Sequence, residues 1–404
     1  MRLIHISDLH IGKRVNEFSM LEDQQYILTE IINIIEKERA SDRSTDGIII
    51  AGDVYDKSVP SAEAVSLFDD FLVKLSEKNI PVFIISGNHD SAERVAFASR
   101  LMSRSGVYVS PVYDGKITPV TLADEHGETD IWLLPFIKPG HVRAALADDP
   151  AANDIQSYTD AMAAAIQQMD IDPSKRNVLV THQFVTGSTR CESEEISIGG
   201  SDNVDAAVFE VFDYVALGHL HGPQNAYGPR VRYCGSPLKY SFSEAKHKKS
   251  VTIVELGAKD SGAIESDGSA GEVKGYADIN IETVELVPLR DMIEIKGTYD
   301  QVISPEFYSQ YDTKAYFHIT LTDEEDVPNA LGNLRVIYPN LMKLDYDNSR
   351  TRAVAELVPG ADAESISPLE LFGEFYEKQN GRELSEIQTD YLADIIEQIW
   401  RGES

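Results

Sequence analysis

The stretch Ala216-Leu217-Gly218-His219-Leu220-His221-Gly222 follows Phe212-Asp213-Tyr214-Val215, so an apolar run that reads as a buried strand stops at two histidines flanked by glycines. Alternate residues of an extended chain point the same way, so His219 and His221 can grip one object from one side. The other core runs end alike. Run 2–7 leads into Asp8-Leu9-His10, and 47–51 (Gly-Ile-Ile-Ile-Ala) leads into Gly52-Asp53. Run 81–86 leads into Gly87-Asn88-His89-Asp90, and 178–181 into His182. In α/β sheets the carboxyl ends of strands converge on an edge where ligands bind. Five such endings would bring these side chains together.

Such a set is unfavourable as packing, because burying an unpaired polar group costs on the order of 2–7 kcal/mol. A divalent cation removes that penalty by taking the lone pairs. One carboxylate, best placed at Asp53, can bridge two ions about 3.5–4 Å apart. Mixed oxygen and nitrogen donors suit Mn, Fe or Zn, and the absence of Cys from the set argues against a thiolate site. A lone His beside an apolar run is usually a satisfied core residue, and Gly-Asp after a strand is often only a turn. The ensemble is different: the five endings absorb His10, His89, His182, His219 and His221, half of the chain's 10 histidines.

The 404 residues allow two or three domains. Strands are expected also at 131–136 and 251–256, and helices at 20–39 and 61–78, where apolar residues recur at helical spacing. The run 2–7 reads as a structural strand rather than a leader, and no tract is long enough to span a bilayer. Two cysteines, Cys191 and Cys234, fit a reducing cytoplasm better than a disulfide framework. The net charge of −31 opposes nucleic acid, whose binding leans on Lys/Arg, unless metal ions or another subunit offset it. Segment 257–278 is small and polar and reads as a flexible loop. Beyond it a small α+β unit is expected, with strands at 283–287, 315–321 and 341–346 and a helix near 327–338. Amphipathic helices at 368–379 and 385–400 close the chain.

Together, Asp8-Leu9-His10, Gly52-Asp53, Gly87-Asn88-His89-Asp90, His182 and Gly218-His219-Leu220-His221 resemble the five-part signature of the calcineurin-like metallophosphoesterases. The fuller stretches Ile6 to Lys13 and Tyr233-Cys234-Gly235-Ser236-Pro237-Leu238-Lys239-Tyr240-Ser241-Phe242-Ser243-Glu244, with the ending Pro368 to Ile399, resemble the bacterial SbcD nucleases. That likeness implies a four-layer αββα sandwich at 1–280, a DNA-capping α+β domain at 281–360 and a helical segment at 361–404 that grips the ATPase SbcC. It implies two divalent ions, Mn2+ first and Mg2+ second. One would be held by Asp8, His10, Asp53 and His221, the other by Asp53, Asn88, His182 and His219. His89 would face the scissile phosphate and Asp90 would orient its loop. Asp56 stands where some relatives carry a second active-site histidine, which leaves its role open. The implied activity is a DNA exonuclease, ATP-dependent with SbcC, and single-strand endonuclease in repair and recombination. A homodimer through 61–78 and 92–104 is expected on the same ground.

Weaker candidates are Lys13, Arg14, Arg94, Arg100 and Arg104 as phosphate contacts, more simply read as solvated charges. His5 and His126 read as structural or surface groups, and Tyr240 and Phe242 as core aromatics rather than base-stacking platforms. Two other functions fit less well. A phosphodiesterase for small nucleotides would have no use for the capping unit, and a non-catalytic scaffold would tolerate loss of a donor.

Overall fold

The computed structural model describes residues 1–41, 43–191, 194, 202–259 and 275–352, with scattered positions between 369 and 396. Alternation along the central strands decides the layering. In Gly47–Ala51, Ile48 and Ile50 pack on one side while Ile49 and Ala51 pack on the other. Val82–Ile85 divides Val82 and Ile84 from Phe83 and Ile85 in the same way. Both sides are apolar, so both must be covered.

The first sheet runs in the order Ala277–Glu285, Ser250–Lys259, Arg2–Ile6, Gly47–Ala51, Val82–Ile85, Val107–Val109, and its last four strands are parallel. The second runs Gln224–Tyr227, Val231–Tyr233, Tyr214–Gly218, Arg176–His182, Gly127–Leu133, Val120–Asp124, with its middle four parallel. Leu3, Ile49, Phe83 and Ile85 of one meet Ile131, Val178, Val180 and Ala216 of the other. Helices Leu21–Ala40 and Ala62–Glu77 cover the outer face of the first sheet through Ile27, Ile31, Phe68 and Leu72. Pro139–Ala145 and Tyr158–Gln167 cover the second through Val142, Met162 and Ala165. This is the expected αββα sandwich. His5 lies between the sheets with Nδ1 2.9 Å from the Tyr214 hydroxyl, and burial drives its pKa down to about 3. It is a structural histidine. His126 sits at the surface.

The smaller unit is a three-stranded parallel sheet, Met292–Gly297, Tyr316–Leu321 and Leu341–Tyr346, backed by helix Ala330–Ile337 around Phe317, Leu334 and Tyr338. Its seam with the sandwich joins an apolar patch, Met292, Tyr316 and Met342 against Met20 and Phe242, to a buried polar contact. Buried Asp23 accepts from Arg290 Nη1 at 2.6 Å and from the Tyr316 hydroxyl at 2.7 Å.

One expectation is corrected. The strand placed at 283–287 as the start of the smaller unit is the end of Ala277–Glu285, which pairs antiparallel with Ser250–Lys259 as an edge of the first sheet. The register decides it: Ser250 lies opposite Glu285, so the strand stays paired with the sandwich to its last residue and the chain crosses over only after it. Of the polar segment 257–278, residues 257–259 and 277–278 are strand, and 260–274 lie outside the described residues. The helices expected at 368–379 and 385–400 lie largely outside them too; of the positions described there, Phe372, Tyr376, Tyr391 and Ile396 are helical. No helix among the described residues is long and apolar enough to cross a membrane.

Candidate metal centre

The parallel strands of the two sheets present their carboxyl ends at a common rim. Asp8, His10, Asp53 and Asn88 follow strands of the first sheet, while His182, His219 and His221 end or follow strands of the second. The seven side chains thus meet across the gap between sheets, rather than along the edge of one sheet. Cross-sheet bonds fix the meeting. The Asp8 Oδ1 accepts from the His219 backbone N–H at 3.0 Å, and His182 Nδ1 lies 2.8 Å from the Ala51 carbonyl oxygen.

Bringing loops this close strains them. Asp8, His10, Asp53 and His219 hold φ values of 53°, 42°, 48° and 103°, where L residues cost of order 1–3 kcal/mol each. The glycine at 218 has a spatial reason. A Cβ there would collide with the Ala51 carbonyl and with His182 Nδ1.

Inside the cluster, His10 Nε2 faces His221 Nε2 at 3.1 Å and lies 3.6 Å from Asp53 Oδ2. The same carboxylate oxygen is 3.3 Å from His182 Nε2, whose neighbour is Asn88 Oδ1 at 3.0 Å. Asn88 Oδ1 is also 3.0 Å from His219 Nδ1. Three sets have donor atoms within 4.8 Å of one another: Asp8, His10 and His221; Asp8, Asp53 and His182; His10, Asp53 and His89. Asp8, His10 and Asp53 each belong to two of these sets, so the three groups of donors overlap.

The electrostatics are those of a buried cluster short of positive charge. Burial pushes the Asp8 carboxyl up and drives His10 and His219 well down. Burial also opposes charge on His182, but Asp53 and Asp8 more than offset it and push that pKa up to about 9. For Asp53 burial is outweighed by His182, His89 and His10, which hold it well below the usual carboxylate range. His219 Nε2 is buried without a hydrogen-bond partner. Two carboxylates, an amide oxygen and four imidazoles of this kind fit divalent cations of intermediate hardness.

His89 stands at the mouth. Its side chain keeps 17% exposure, against 1% for His10 and none for His182. Its Nδ1 is 3.3 Å from the Asp56 carbonyl oxygen, so Asp56 touches it through the main chain. The Asp56 carboxylate instead pairs with Lys13 Nζ at 2.7 Å. Asp90 serves the loops rather than the cluster. Its carboxylate accepts from the backbone N–H groups of Val54, Tyr55 and Gly87 at 2.9–3.0 Å, stapling the Asp53 loop to the Asn88 loop.

Residues 1–223 match the family described as calcineurin-like phosphoesterase. The chain belongs to that family. Residues 288–380 match a second description, the type 5 capsule protein repressor C-terminal domain, SbcD_C. The SbcD component of the nuclease SbcCD from Staphylococcus epidermidis is 31% identical over 403 residues, covering 98% of each chain. This places the chain in the SbcD branch of the calcineurin-like phosphoesterases, enzymes that hydrolyse phosphoesters with metal ions.

The aromatic candidates are core residues, as the plainer reading had them. Tyr240 is buried, donates its hydroxyl to the Leu9 carbonyl and packs against the His10 and His221 rings. Phe242 is buried against His318 of the smaller unit. Arg94, Arg100 and Arg104 are exposed, and Arg14 reaches the Glu17 carbonyl. Sequence reasoning missed four supporting groups. Ser7 donates to Asp8, and Gln24 Nε2 donates to the His10 carbonyl at 2.7 Å. Glu194 accepts from the His221 backbone N–H, and Glu244 faces its ring. Ser7 and Glu244 lay inside the stretches quoted above and could have drawn notice; Gln24 and Glu194 lay in no motif.

Proposed function

We propose that this chain is the nuclease subunit of an SbcCD-type complex, a two-metal phosphodiesterase that cuts DNA ends and single strands in repair and recombination. The observation that carries the reading is the seven-donor cluster at the rim between the sheets, built around Asp53. Asp8, His10, Asp53 and His221 would hold one ion, and Asp53, Asn88, His182 and His219 the other, with manganese the first choice and magnesium the second. Bound there, such ions polarise a phosphoryl oxygen and lower the pKa of water toward about 7. The protein's own part is orientation and proton transfer. His89, at the mouth and held by the Asp56 carbonyl, is placed to donate a proton or hydrogen bond to the phosphate or leaving oxygen. Asp90 fixes the loop that carries it.

The smaller unit packs on Phe242 through His318 and serves as a cap over DNA. With a net charge of −31 the chain is poorly suited to hold DNA by itself, which favours a partner ATPase of the SbcC kind, gripped by the C-terminal helices, as supplier of the basic surface. Exposed Val65, Val73, Phe97 and Leu101 support a homodimer through 61–78 and 92–104. The cytoplasm is the setting this reading requires.

The test is cleavage of linear duplex and single-stranded DNA by the purified chain, alone and with its ATPase partner and ATP, in Mn2+, Mg2+ or chelator. Manganese-dependent cutting of single strands by the chain alone, and ATP-dependent duplex degradation by the pair, are expected. Hydrolysis of a small phosphodiester with no cutting of DNA under any of these conditions would overturn the nuclease reading.

A further inference from the structure

The stretch from Tyr233 to Glu244 packs against His221 and brings Glu244 to its Nδ1. We propose that Glu244 and Lys249 are positioning residues that fix which ring nitrogen of His221 is presented to the metal position shared with Asp8, His10 and Asp53. The inference rests on the two-metal reading above and deepens it.

The contacts form a closed ring. His221 Nδ1 lies 3.1 Å from Glu244 Oε1, and the other carboxylate oxygen of Glu244 accepts from Lys249 Nζ. Lys249 Nζ then donates back to the carbonyl oxygen of His221 at 2.8 Å and to Ser236 Oγ at 2.9 Å. An ammonium has three hydrogens, and these acceptors use all three. Glu244, Lys249, His221 and Ser236 are all at most 4% exposed, so water cannot stand in for any of them.

A carboxylate facing Nδ1 makes that nitrogen the protonated one. The lone pair is then on Nε2, which points into the cluster at 3.1 Å from His10 Nε2. Carboxylates placed behind metal-facing imidazoles fix the tautomer and raise the basicity of the ring. Lys249 neutralises a glutamate that would otherwise be a lone buried charge. The opposite position is built differently. There His182 Nδ1 faces a neutral main-chain carbonyl, that of Ala51. The two metal positions therefore differ in what stands behind them, and loss of the Glu244–Lys249 pair should weaken one and spare the other.

Manganese titration of the full chain, followed by calorimetry and by electron paramagnetic resonance, reads this directly. The wild type should take up two ions with a spin-coupled signal. Glu244→Gln and Lys249→Met should each keep one tight ion and lose about 10- to 100-fold in affinity for the other, with a single-ion signal at intermediate manganese. Asp124→Asn, which breaks a buried pair with Arg176 far along the sheet, should lower the melting temperature and leave both ions bound. Should a single variant melt before titration, the double change Glu244→Leu with Lys249→Met removes both charges together and carries the same measurement. Two tight ions and an unaltered coupled signal in the variants would overturn the inference and leave the metal centre standing. No manganese uptake by the wild type would overturn both.

Discussion

His182 Nδ1 meets the Ala51 carbonyl oxygen at 2.8 Å, joining the last residue of a strand in one sheet to the last residue of a strand in the other. Nδ1 donates to that carbonyl, and Nε2 is left facing Asp53 and Asn88. Gly218 makes this approach possible. Gly218→Ala should therefore lower stability by about 1–3 kcal/mol, as overpacking does, and reduce metal uptake as well. Thermal melting and manganese binding on one sample check both.

Asp53 is the group whose loss should matter most. Asp53→Asn removes the carboxylate that lies 3.3 Å from His182 Nε2 and 3.6 Å from His10 Nε2. Both ions should be weakened, and turnover of a chromogenic phosphodiester should fall on the order of 10³-fold, equivalent to the several kcal/mol that metal ions supply. Equal loss of both ions distinguishes it from the Glu244 variants.

His89→Ala should behave in the opposite sense. The side chain sits at the mouth and is placed to act on substrate, so metal content should hold while cleavage drops about 10²–10⁴-fold. Unchanged turnover would remove His89 from the chemistry.

Away from the centre, Asp124 gives a pH dependence. Burial would raise its pKa, but Arg176 and the terminal ammonium outweigh burial and hold it well below the ordinary value. A carboxylate depressed in the folded state adds stability above its unfolded pKa, near 3.9, and that stability is lost as pH falls through the folded value. The melting temperature should therefore drop as pH is lowered below about 4. The drop should be shallower in Asp124→Asn, which is less stable at neutral pH.

Much of this centre was legible in the chain. The donors follow the most apolar strands, such as Gly47–Ala51 and Tyr214–Gly218, and such runs announce themselves because both faces are buried. What escaped notice had weaker patterns. Val120–Asp124 alternates between half-buried and exposed residues, and Val107–Val109 has three residues, so neither makes an apolar run. Ala277–Glu285 is a half-exposed edge strand and reads as part of the next unit for that reason. That the donors meet between two sheets depends on packing that no local period encodes. The supports behind the donors were hidden for another reason. Gln24 lies on a helix whose apolar face explains it well enough, and Lys249 reads as one of a run of surface lysines.

The central claim is that a pair of cations is held by seven side chains drawn from five strand ends. Equilibrium dialysis of the purified chain against Mn2+, with metal content measured per chain, tests it most directly. Two manganese ions per wild-type chain, with both sites impaired in Asp53→Asn, is the expected result; a wild-type chain that leaves saturating manganese carrying none would contradict it.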